Sequence, residues 1–75
     1  MYEMAWHVVV TYGEKKQKRD TVVTCNTIQG LKNALQKDDL FYFPEHKKCG
    51  GIPEDATNLT IRLIEDKREV RNAGS

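Results

Sequence analysis

Residues 58–65 read NLTIRLIE, and this stretch decides the fold. Leu59, Ile61 and Leu63 fall on one side and Thr60, Arg62 and Ile64 on the other, an alternation of period two that only an extended strand turns into two faces. A second run with the same habit lies at Ala5–Tyr12, AWHVVVTY, where Trp6, Val8, Val10 and Tyr12 share one face and His7, Val9 and Thr11 the other. The polar, glycine-led segment Gly13–Lys18 reads as a hairpin loop. After it Arg19–Cys25, RDTVVTC, is rich in β-branched residues and returns antiparallel to the first strand.

Between these strands the period changes. Ile28, Leu31, Ala34 and Leu35 recur at three and four, so the segment 26–37 is expected to be a short helix with one apolar stripe. Asn26 is the expected N-cap, with Gln29 placed to reach back to it, and Gly30 weakens the helix by about 1 kcal/mol relative to alanine. Leu40–Phe43 is a short aromatic strand that Pro44 ends, and residues 45–57 read as a long loop broken by Gly50, Gly51 and Pro53. The order is ββαββ. The fold class expected is α+β: a small sheet with one helix packed on one face, a single domain over residues 1–75, an ordered core over 4–66 and a flexible tail over 67–75. Trp6, Val8, Val10, Leu59, Ile61 and Leu63 are the face the helix should cover. The connection through the helix leads us to expect the closing strand to lie parallel to the first, in the middle of the sheet.

This layout resembles a ubiquitin-like β-grasp, through TIQGLKNAL as the helix and TNLTIRLI as the closing strand. In such a layout the helix covers only one sheet face, and the apolar side chains on the other are expected to meet a protein partner. Ubiquitin-type conjugation is not expected, since Gly50-Gly51 is internal and the sequence closes on Asn72-Ala73-Gly74-Ser75. The layout is also similar to some very small viral proteins that bind and inhibit host enzymes such as RNA polymerase. That similarity implies a small accessory or viral protein that modulates a larger host enzyme.

Composition narrows the classes of function. At 8.6 kDa, 39% hydrophobic and 31% charged, the chain has the make-up of a small folded domain with little room for a deep catalytic cleft. Its net charge of +1 sets up no global field that demands nucleic acid or an anionic membrane. No apolar run approaches the roughly 20 residues of a membrane span. Two cysteines, Cys25 and Cys49, make no disulfide framework, and with no secretory leader they are expected to be reduced thiols in a cytoplasmic protein.

Few residues carry specific chemistry. His46 and Cys49 have a zinc-like spacing, but the remaining ligand types, Cys25 and His7, lie on separate strands, so no metal and no cofactor is expected. None of the motifs of nucleophilic or acid–base catalysis is present, so the chain is expected not to be an enzyme. Lys15, Lys16, Lys18 and Arg19 at the hairpin, with Lys47 and Lys48 in the loop, form the alternative site, a weak single-stranded nucleic-acid binder that would stack bases on nearby aromatics. The favoured reading is a protein partner on the sheet face opposite the helix, contacted by His7, Val9, Tyr42, Thr60, Arg62 and Ile64, with a homodimer through that face as the competing explanation.

Overall fold

The computed structural model describes residues 3–67 and contains, in chain order, β1 (Met4–Tyr12), β2 (Gln17–Cys25), α1 (Ile28–Leu35), β3 (Phe41–Phe43), β4 (Lys48–Gly50) and β5 (Ala56–Asp66). The α+β class holds. β1, β2 and β5 form one sheet in the order β2-β1-β5, and β3 and β4 form a separate two-stranded sheet. The tail expected over 67–75 falls outside the described residues except for Lys67, whose amide donates to the Glu3 carbonyl at 2.7 Å.

The direction of β5 corrects the expectation. It runs antiparallel to β1, with Trp6 opposite Leu63, Val8 opposite Ile61 and Val10 opposite Leu59, and it forms an edge, while β1 takes the centre. The reason is a strand that the sequence does not disclose. β4 pairs antiparallel with β3, Phe41 opposite Gly50 and Phe43 opposite Lys48, so the supposed loop 45–57 holds a second hairpin that turns the chain round once more. The β1–β2 loop is also shorter than expected, because Gln17 and Lys18 already pair with Tyr12 and Thr11.

The helix begins one residue later than its sequence signals imply. Thr27, not Asn26, is the N-cap, its hydroxyl accepting from the Gly30 amide at 3.0 Å, and Gln29 donates along the helix to Asn33 instead of closing a capping box. Gly30 has a packing reason: a Cβ there would sit 3.2 Å from the Cβ of Cys25, so the missing side chain lets the helix approach β2.

The core lies between the sheet and a lid made of α1 and the β3–β4 hairpin. Met4, Val8, Val10 and Tyr12 from β1, Val23 and Cys25 from β2, Leu31 from α1 and Phe41 and Phe43 from β3 are buried together. Phe43 meets Tyr12 edge-on at 5.5 Å, and Phe41 packs 6.1 Å from Phe43. The lid does not reach β5. Leu59, Ile61 and Leu63, on the same sheet face as the buried row of β1, remain 37%, 36% and 42% exposed, while Val8 and Val10 beside them are fully buried. An eight-residue helix is only about 12 Å long at 1.5 Å per residue, and here it packs on β2. Half of the face expected to be core is therefore surface.

Candidate functional site

Three surfaces are open to a functional reading: the uncovered sheet face, the basic turns, and the loop after Phe43.

On the sheet face away from the lid, the strand register brings four of the six expected contact residues together. His7 lies opposite Arg62 on β5 and Val22 on β2, and Val9 lies opposite Thr60 and Asp20. Each pair is a direct cross-strand neighbour, so the four form one contiguous patch. Val22 is 54% exposed. His7 contacts the Asp20 carboxylate through Nε2 at 2.9 Å, which ties up the acidic group of the patch. Arg62 is exposed and has no carboxylate within ion-pair distance among the described residues, so the patch presents a free cation beside apolar Val9 and Val22.

The other two expected residues sit differently. Ile64 is the extra residue of a β-bulge, because Ala5 pairs with Glu65 and Trp6 with Leu63; it is exposed at the border of the patch. Tyr42 does not belong to this face. It is on β3, between buried Phe41 and Phe43, and points outward from the second sheet.

The basic residues share one end of the molecule. Lys15 and Lys16 are in the turn between β1 and β2, Lys18 is the second residue of β2, Lys47 is in the turn between β3 and β4, and Lys48 opens β4. A clasp holds the two turns together. The Tyr12 hydroxyl donates to one carboxylate oxygen of Glu45 at 2.5 Å, and Arg19 donates to the other at 2.7 Å. Arg19 is therefore half-buried and committed to Glu45, which removes it from the expected phosphate-binding group. The hydrogen bond from Tyr12, then the backbone amide and Arg19, hold Glu45 down at about 2, well below the usual carboxylate value. Burial, then the bond to Glu45, push the Tyr12 phenol up. This clasp is the arrangement that sequence reasoning misses. A signal for it exists, since Arg19 alternates with Val23 and Cys25 on the core face and a charge in that position needs a partner.

The loop after Phe43 contributes a shallow cleft of about 280 Å³ lined by Tyr12, Phe43, His46, Cys49, Gly51 and Asp55 among others, open to solvent and at the small end for ligand pockets. His46 and Cys49 lie on it, but no three His, Cys, Asp or Glu side chains among the described residues are grouped to hold a metal ion. Cys25 is buried and Cys49 exposed, and both are free thiols. No helix among the described residues is long and apolar enough to cross a membrane.

No family model, curated protein or solved structure matches the chain.

Proposed function

We propose that the chain is a non-enzymatic protein-interaction module that docks through the uncovered sheet face, with His7, Val9, Val22, Thr60 and Arg62 as the contact patch and Ile64 at its border. The observation that supports this most directly is the one-sided lid: α1 and the β3–β4 hairpin pack on the face of Met4, Val8 and Val10, and the opposite face has no covering element among the described residues. Apolar side chains around a free arginine form the composition of interface anchors, and they select a partner surface that places a carboxylate beside apolar groups. The mode of action is steric. A partner surface is occupied, and a larger enzyme bound this way is modulated without any chemistry by this chain, in a cytoplasmic setting. The element order remains loosely compatible with a β-grasp, and no function is taken from that likeness.

Affinity capture from lysate of the source organism tests the proposal, using the wild-type chain, Val9→Asp and Arg62→Glu as baits. A protein retained by the wild type and lost with both variants, whose thermal unfolding stays cooperative, supports it. Identical captures from all three baits remove this face from consideration.

A second reading draws on the clasp. Because Tyr12, Arg19 and Glu45 bring the two turns to one end, Lys15, Lys16, Lys18, Lys47 and Lys48 share a region, with Tyr42 the exposed aromatic on the nearby hairpin. Glu14, Glu54 and Asp55 accompany them and weaken the field. Single-strand binding by this end would fall steeply with salt. A gel shift at two salt concentrations decides, and no shift at low salt ends this reading.

A further inference from the structure

The uncovered half of the lid-side face, the row Leu59, Ile61 and Leu63, belongs to a strand whose outer edge has no paired strand among the described residues. β5 is the longest strand, eleven residues, about 37 Å at roughly 3.4 Å per residue. Native sheets protect such edges with proline, lysine, inward charges or bulges. β2, the opposite edge, is protected. It carries Lys18, Arg19 and Asp20, and α1 and β3 lie against it. β5 is not. It has no proline or lysine, its two bulges fall near its ends at Thr57 and Ile64, and the stretch from Asn58 to Leu63 is a regular ladder with one charge, Arg62.

We infer that this edge is occupied by β5 of a second copy of the chain, paired antiparallel about a two-fold axis through Ile61. The occupant follows from the pattern of the strand itself. A two-fold axis normal to the sheet keeps each face on its own side, so odd residues must oppose odd residues. Centred on Ile61, Leu59 opposes Leu63 of the second copy, Ile61 opposes Ile61, and Thr60 opposes Arg62, so every member of the apolar row meets an apolar neighbour and the strands overlap over their full length. Centred on Arg62, two arginines face each other and Leu59 meets Glu65. Centred on Thr60, Leu63 meets Thr57 and one apolar pair is lost. One register alone satisfies the row and avoids opposed like charges.

Pairing along one strand makes a contact at the small end of specific interfaces, below about 1,200 Å². The dimer is therefore weak and its population follows protein concentration. It forms one six-stranded sheet with a β5 pair at its centre, and it sets two copies of the His7, Val9, Thr60 and Arg62 patch side by side on the open face. This inference does not depend on the proposed function, since it uses the strand edge and the opposite side of β5.

Sedimentation equilibrium of the full chain from micromolar to millimolar concentration, followed by cysteine cross-linking in a Cys49→Ser background, tests it. The expected result is a monomer–dimer equilibrium in which Ile61→Cys cross-links to itself under mild oxidation. Leu59→Cys and Leu63→Cys each fail to cross-link alone and cross-link when mixed. Ile61→Lys should raise the dimer dissociation constant at least about tenfold. Ile61→Thr, which keeps the β-branch opposite Val8, should do so in the same direction while keeping a cooperative unfolding transition. A chain that sediments as a monomer throughout, or self-cross-linking as efficient at positions 59 and 63 as at 61, overturns the inference. Loss of partner capture with Val9→Asp is a separate outcome and leaves it standing.

Discussion

The Tyr12 hydroxyl and the Glu45 carboxylate share a hydrogen bond that joins the central strand of the main sheet to the turn of the second hairpin, with Arg19 on the other carboxylate oxygen. Glu45 is held at about 2 in the folded chain. A carboxylate with a lowered folded value stabilises above its ordinary range and loses that contribution as pH falls through the window down to the folded value. Stability should therefore decline between about pH 4.5 and about pH 2, and Glu45→Gln should flatten that limb relative to the wild type. Chemical denaturation across the range measures it. Tyr12 supplies the alkaline counterpart. Its phenol is raised, so its contribution is present below pH 10 and is lost as pH climbs above it. Tyr12→Phe should remove that alkaline decline.

At Gly51 and Gly30 close packing works against alanine, to different degrees. A Cβ at Gly51 would lie 2.8 Å from the Lys37 carbonyl oxygen, a backbone atom that cannot swing aside. Gly51→Ala should lower the melting temperature clearly. Gly30→Ala in an unencumbered helix would add about 1 kcal/mol of stability. The contact of 3.2 Å with Cys25 opposes that gain, so no increase in melting temperature is expected.

Phe41 and Leu63 separate the real core from the expected one. Phe41 is 1% exposed, and Phe41→Ala should cost about 3–5 kcal/mol, most of what a domain of this size possesses. Leu63→Ala, at a site 42% exposed, should cost about 1 kcal/mol or less. Equal losses from the two variants in denaturant titrations would mean that the lid extends over β5.

Thr27→Ala should destabilise by about 1 kcal/mol through loss of the cap, while Asn26→Ala should change stability by less than about 0.5 kcal/mol. Helix content by circular dichroism and the denaturation midpoint report both.

Much of this architecture is legible from residue alternation. The period of two locates β1, β2 and β5 and assigns His7, Val9, Thr60 and Arg62 to one face, which is why that patch is readable from the residues alone. The same period carries no direction. Whether β5 runs with or against β1 depends on the number of reversals between them, and one reversal is hidden in Lys48–Gly50, three residues with no buried side chain and no periodicity. Nor does alternation say how far a lid extends: Leu59, Ile61 and Leu63 have the pattern of core residues, and only the shortness of α1 and its seat on β2 leave them at the surface. Tyr42 lies away from the patch because its strand belongs to a different sheet. The place of Arg19 on the core face signals that it needs a partner, but nothing local names that partner, because Glu45 is distant in sequence from both Tyr12 and Arg19.

The central position of β1 sets an order of assembly. The β1–β2 and β3–β4 hairpins close over short turns and form quickly, whereas β5 must find β1 across nearly the whole described chain. During synthesis from the N-terminus, β1 therefore waits with one edge unpaired, and Trp6, Val8 and Val10 lack their β5 neighbours until residues 56–66 have emerged. The sheet is completed by its last strand, and that same strand stays the most exposed of its three. Chaperone contact and misassembly during folding should concentrate on the seam between β1 and β5.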